Sequence, residues 1–370
     1  MISQTIDFTR GVPAPESFPT EQLAECAAAV LAQGGVTEAL QYGKSYGFLP
    51  LRAWLAERQG LPIEQVMLSN GSLQFIELLC QTLLQPNDTI FVEQPTYDRT
   101  LTLLRRNHLN IVSIPIESDG PDLDALEAAL QRHTPKAFYI ISDFQNPTGV
   151  TTSLAKREQI AAWAEWLGFW LIEDAPYRQL RYRGTPVPSL LDLSPSRTLQ
   201  LSSFSKLISP GTRVGTLVGD AAVLQQLAQF AEDTYIMPAL LNMAIVNEFC
   251  RRGYLEPQIE RLRALYQPRL EAICTAVQSY LPARPYVEPD GGFFFSVTLP
   301  EGITSAMLRE QAAEAGVRCS DGRGFFADRR DGERFLRLPF CALTPAEIDE
   351  GVRRLGEMVQ ALSPELHSRV

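Results

Sequence analysis

Short apolar runs alternate with amphipathic segments through the middle of the chain, and this alternation constrains the fold more than any other feature. Runs at 89–92, 111–114, 138–142, 170–173, 198–201 and 215–218 read as buried strands. Helical patterns lie between them, at 123–132 and 153–167; in the second, Leu154, Ile160, Trp163, Ala164 and Leu167 recur on roughly one face. Strands alternating with helices predict the α/β class, with a mostly parallel sheet covered on both sides. Ligands of such sheets bind beyond the carboxyl ends of the strands. Asn146 follows one predicted strand, Asp174 ends the next and Lys206 follows the one after that. The rule therefore brings all three to one edge of the sheet.

The last third reads differently. A long helical stretch at 257–280 leads to Gly291-Gly292-Phe293-Phe294-Phe295, a helix at 305–315 and an apolar run at 335–340. A final helix begins at Thr344-Pro345-Ala346-Glu347, with a hydroxyl N-cap, a proline in the first turn and a glutamate three residues on. At 370 residues the chain exceeds the size at which one core keeps growing. We expect a large domain at 41–255, a smaller α+β domain at 256–370 and an N-terminal segment, 1–40, that joins the small one.

Lys+Arg number 33 against 43 Asp+Glu, a net charge of −10, which argues against nucleic acid or an anionic membrane as the main partner. The six cysteines form no C-x-x-C pair and mostly sit in apolar surroundings, as buried free thiols do. His108, His133 and His367 are far apart and away from acidic or cysteine clusters, which argues against a histidine-built metal site or a serine-hydrolase triad. The N-terminus lacks a basic segment followed by an apolar stretch, and no apolar run nears the roughly 20 residues of a spanning helix. The expectation is a soluble cytoplasmic protein.

Several polar motifs sit at the ends of the predicted strands. In Ser202-Ser203-Phe204-Ser205-Lys206, followed by Gly211-Thr212-Arg213, one lysine stands among small hydroxyl residues with an arginine nearby. An aldehyde cofactor carrying a phosphate requires such a set: an amine for a Schiff base, hydroxyls and a guanidinium for the phosphate. A solvated lysine in a serine-rich loop is the alternative. Asp174 ends a buried strand, where a carboxylate is costly unless paired; an arginine, a lysine or a protonated ligand nitrogen would each serve. Ser69-Asn70-Gly71-Ser72-Leu73 opens a helical run and presents free N–H groups, either as a plain N-cap at Ser72 or as part of a phosphate cup. Asp143-Phe144-Gln145-Asn146-Pro147-Thr148-Gly149 is a polar turn, and Tyr97 in Glu93-Gln94-Pro95-Thr96-Tyr97 is by itself a core or rim aromatic. Arg337, within Phe335-Leu336-Arg337-Leu338-Pro339, is a guanidinium in an apolar strand: either a structural salt bridge or a fork for a ligand carboxylate.

In order and spacing, Tyr42, Gly71-Ser72, Tyr97, Asn146, Asp174, Tyr177, Lys206, Arg213 and Arg337 resemble the fold-type I, pyridoxal 5′-phosphate (PLP)-dependent class I/II aminotransferases, over about 7–358. The nearest likeness is to the branch of aminoadipate, kynurenine and aromatic aminotransferases. The resemblance implies an aspartate aminotransferase-like large domain with a mostly parallel seven-stranded sheet. It implies that Lys206 binds PLP, that Asp174 pairs with its ring nitrogen, and that Asn146 and Tyr177 reach its phenolic oxygen. Tyr97 would stack on the ring, while Gly71, Ser72, Leu73, Ser203, Ser205 and Arg213 would hold the phosphate. Arg337, with Asn146 and with Gly11 from Arg10-Gly11-Val12-Pro13, would meet the substrate. Tyr42 would cross a homodimer interface to the partner's phosphate.

The implied reaction passes an amino group between an L-amino acid and a 2-oxo acid, with Lys206 as the base at Cα. Elimination or cyclisation on the same frame is the rival, because the cofactor residues serve a carbanion common to both. A PLP-binding sensor fused to a DNA-binding module fits less well, since the likeness begins within the first ten residues. Arg178, Arg181 and Arg323 are either contacts for an acidic substrate or, more commonly, surface arginines, and the aromatic runs Phe293 to Phe295 and Phe325-Phe326 are open between substrate wall and core. The substrate side chain is not legible.

Overall fold

The computed structural model describes residues 5–32 and 36–367. Its main sheet runs, from edge to edge, Val66–Ser69, Gly215–Val218, Thr198–Ser203, Trp170–Asp174, Ala137–Ile140, Thr89–Gln94, Asn110–Glu117 and Gly120–Pro121. The five strands from Thr198–Ser203 to Asn110–Glu117 are parallel, and Gly215–Val218 runs against both of its neighbours. The six expected strands are all present. Val66–Ser69, which the periodicity missed, makes seven, and the two-residue pair Gly120–Pro121 adds a short eighth at the edge.

The central strands read as unbroken apolar runs because both faces are covered. Alternate residues point to opposite sides. On one side Val92, Tyr139, Ile172 and Leu201 pack with Phe75, Leu101 and Leu224 from three helices. On the other, Phe91, Phe138, Ile140 and Leu171 meet Leu126, Ile160 and Ala164. The helix Leu154–Leu167 does not bury the face expected for it: Leu154 and Leu167 are exposed, and the inward residues are Lys156, Arg157, Ile160, Ala161 and Ala164. Arg157 is tolerated inside because Asp143 and the carbonyls of Ser142, Thr152 and Pro188 take its N–H groups.

A second core lies in the C-terminal third. The antiparallel strands Arg284–Pro285, Phe294–Thr298 and Phe335–Pro339 pack with the helices Leu255–Tyr280, Ser305–Glu314 and Pro345–His367. The N-terminal strand Ile6–Phe8 returns to pair in parallel with Val317–Cys319 in that same core. Farther on, the helix Thr20–Ala32 packs against Leu240–Arg251. Thr344 caps the last helix as its sequence predicts: its N–H donates to Glu347 Oε2 at 2.8 Å, and the Glu347 N–H donates to Thr344 Oγ1 at 3.3 Å. Among the described residues no helix is long and apolar enough to cross a membrane. Five of the six cysteines are buried free thiols, and Cys274 is half-buried.

Candidate active site

The carboxyl ends of the parallel strands converge on the turn after Val66–Ser69. Gly71 has φ +97°, and a Cβ there would run into the Arg213 guanidinium. A Cβ on Gly215 would strike the backbone of Gly71 and Ser72, so these glycines are required for a close fit of backbone on backbone. Arg213, itself at φ 52°, donates from Nη2 to the Asn70 carbonyl at 2.7 Å. Ser203 pairs with Gly215 in register, and its Oγ lies 2.8 Å from Ser205 Oγ. Ser72 begins the helix Leu73–Thr82 but makes no side-chain cap bond, so its hydroxyl is not committed to the helix. Two serines before Lys206, Ser72 and Arg213 therefore surround one helix N-terminus, as an anion site requires.

Asp174 is buried at the end of its strand. Its Oδ2 accepts from the Tyr139 hydroxyl at 2.7 Å, and its Oδ1, equally buried, has no partner. No arginine or lysine pairs with it among the described residues. Burial raises its pKa from the ordinary 3.8 to about 6, with the Tyr139 hydrogen bond and the charge of Lys206 working the other way. Lys206 is half-buried. Its amino end lies 5.8 Å from the Tyr177 ring centre and 5.9 Å from that of Phe293, without an ion pair or hydrogen bond among the described residues. Desolvation lowers its pKa from the usual lysine value. Tyr97 and Tyr177 both lie in the field of Asp174, and burial pushes the Tyr97 phenol up to about 12.

Arg337 has no carboxylate partner among the described residues, which removes the salt-bridge alternative. Its Nη1 donates to Asn146 Oδ1 at 3.1 Å and its Nη2 to the Thr9 carbonyl at 3.0 Å, while its buried Nε is unpaired. The guanidinium lies over two rings, 4.9 Å from the centre of Phe294 and 4.6 Å from that of Phe325. Gly11 packs on Phe294 so closely that a Cβ would overlap the ring. With Oδ1 engaged by Arg337, the Asn146 amide nitrogen is left as a donor.

The sequence profile of the class I and II aminotransferases matches residues 6–355. This chain belongs to that family. It is 36% identical over 96% of its length to a 2-aminoadipate transaminase of Thermus thermophilus, covering 90% of that protein. Two solved aminotransferases superpose closely. One is a multiple substrate enzyme from Thermococcus profundus, with a TM-score of 0.93 at 34% identity over 98% of this chain and 93% of that one. The other is an alpha-aminoadipate enzyme from Thermus thermophilus, complexed with N-(5′-phosphopyridoxyl)-L-leucine, with a TM-score of 0.91 at 35% identity over 98% of this chain and 94% of that one. The aminotransferase fold here is the aspartate aminotransferase-like fold type I.

Within this aminotransferase, Arg178 and Arg181 turn away to Asp143, at 2.8 and 3.6 Å, and Arg323 is paired with Asp321. Arg181 is also largely buried rather than a surface residue, lying over the Phe144 ring at 4.7 Å. Phe325 and Phe326 are buried against Phe335. Sequence reasoning missed Tyr139 and left the rings of Phe293, Phe294 and Phe325 open between core and substrate wall. Tyr139 was detectable in principle, because it lies in the strand beside Asp174; the three phenylalanines carried no signal that separates a site wall from a core. Tyr42 is 74% exposed and, among the described residues, makes no hydrogen bond or ring contact with these groups.

Proposed function

We propose that Lys206, Asp174 and Arg337 are the points at which this enzyme meets its cofactor and substrate, in moving an amino group between an L-amino acid and a 2-oxo acid. The cofactor is pyridoxal 5′-phosphate. When bound, it supplies a carbon that takes the amino group and a ring that draws electrons from the substrate Cα. One observation carries the reading: three charged side chains lie in one another's field beyond the strand ends, and none forms an ion pair among the described residues. Enclosing such charges costs several kcal/mol each unless a partner is supplied, and cofactor and substrate together would supply all three.

Each residue has a stated task. Asp174 holds a proton on the ring nitrogen. Asn146 and Tyr177 donate to the phenolic oxygen, and Tyr97 lies on the ring face. Ser72, Ser203, Ser205 and Arg213, with the N–H groups of Ser72 and Leu73 and room left by Gly71, grip the phosphate. Arg337, with its Nε unpaired and Phe294 and Phe325 against its guanidinium, takes the α-carboxylate; Asn146 and Gly11 complete that subsite. Lys206 Nζ removes the Cα proton and later returns it, a task suited to an amine whose pKa is lowered.

The active unit in this reading is a homodimer. The turn at Gly43 lies on Met237 and Leu240, and the Ala239 N–H donates to Asn70 beside the phosphate cup. Leu40 (60% exposed), Tyr42 (74%) and Ile236 (51%) leave an apolar rim there that a second copy would cover, bringing its Tyr42 to this cup. Transfer is tested with a ¹⁵N-labelled donor and an unlabelled 2-oxo acid. The label is expected on the new amino acid. Release of the label as ammonium without acceptor would indicate elimination instead.

A further inference from the structure

We propose that Tyr139 is a positioning residue for Asp174: its hydroxyl holds one carboxylate oxygen, keeps the group charged and leaves the other oxygen for the cofactor. The inference rests on the reading that Asp174 pairs with the ring nitrogen.

Tyr139 is fully buried in the strand Ala137–Ile140, and its register partner on the next strand is Ile172, two residues before Asp174. Two residues of strand span about 6.6 Å, which a tyrosine side chain covers and a serine or threonine does not. The ring is fixed by the packing of Ile141, Ile172 and Leu101 on that face of the sheet, so the hydroxyl has little freedom. The outcome is asymmetric: Oδ2 is held at 2.7 Å and Oδ1 is not held at all.

The chemistry of the donor matters as much as its place. A lysine or arginine here would neutralise Asp174 and compete with the ring nitrogen for it. A phenol stabilises the carboxylate without cancelling its charge. It also remains a donor across the working pH range, because burial and the nearby Asp174 drive the Tyr139 pKa well above the ordinary 10. The other groups facing this pair are Lys206, Tyr97 and Tyr177, with Thr100 beside the Tyr139 hydroxyl. Lys206 is the cation whose charge reaches Asp174, and Tyr139→Phe leaves it in place.

The test is the affinity of Tyr139→Phe for pyridoxal phosphate, measured without substrate from pH 5 to 8, beside Asp174→Asn and the double variant. Losing a hydrogen bond to a charged group should move the acid limb of the affinity up by about one pH unit, so that binding weakens about ten-fold at pH 5 and only about two-fold at pH 7. In the Asp174→Asn background the same change should cost little further, because the two act through one contact. A wild-type pH midpoint in Tyr139→Phe would overturn the proposal, as would an equal loss in both backgrounds. If Asp174→Asn itself binds and turns over like wild type, the pairing of Asp174 with the ring nitrogen fails instead.

Discussion

Lys44 and Lys136 are exposed and Lys156 is held by Glu117 and Asp119, which leaves Lys206 as the enclosed lysine with no partner among the described residues. Lys206→Ala should therefore abolish turnover and the visible absorbance of lysine-held cofactor, as read by spectrophotometry. Arg337 makes a similar argument from the substrate side. Arg337→Gln should lower kcat/KM by about 100-fold, the loss of two charge-assisted hydrogen bonds, while cofactor affinity stays near wild type. For Asp174 the sign follows from its raised pKa. In the cofactor-free chain the folded state holds a proton up to about pH 6, whereas the unfolded chain loses it near 3.8. The resulting stabilisation, about 3 kcal/mol, is present below pH 4 and lost as pH rises through 6. Thermal unfolding of the cofactor-free protein between pH 4 and 7 should thus fall more steeply for wild type than for Asp174→Asn; parallel curves would contradict the assignment.

The glycine turn after the strand Val66–Ser69 shows how an element fixes chemistry. Gly71→Ala combines a positive φ with a collision at Arg213, so phosphate-dependent binding should weaken ten-fold or more, with pyridoxal lacking the phosphate affected far less. Thr344→Ala should cost about 1 kcal/mol in denaturant unfolding and leave kcat unchanged, because its exposed cap starts a helix of the second core and touches none of the described site residues. The strands between 89 and 218 were legible because burial on both faces writes them as continuous apolar runs. Val66–Ser69 was not, since Val-Met-Leu-Ser is too short to separate from the turn and helix beside it. The inward face of Leu154–Leu167 is hidden from the sequence because Arg157 is buried by hydrogen bonds that no periodicity encodes. At the site, the residues with distinctive chemistry stood out in sequence, whereas Phe294 and Phe325 acquire their place beside Arg337 only when distant segments meet.

At the scale of the molecule, the N-terminal strand and the C-terminal third share one core, and Thr9 links that core to the site by accepting from Arg337. The proposed dimer completes the site from outside. If Tyr42 acts across the interface, subunits carrying Lys206→Ala and subunits carrying Tyr42→Ala should complement when refolded together. A mixed dimer holds one site with both residues intact, and its activity should exceed that of either parent. Activity no higher than the parents would place Tyr42 outside the partner's site.

The covalent anchor is the central claim, and it is tested most directly by borohydride reduction of the purified, cofactor-loaded enzyme followed by peptide mass mapping. The chain has four lysines, Lys44, Lys136, Lys156 and Lys206, so the assignment is unambiguous. One phosphopyridoxyl group per chain, on the peptide containing Lys206, is the predicted result. A group on any of the other three, or none at all, would contradict the account.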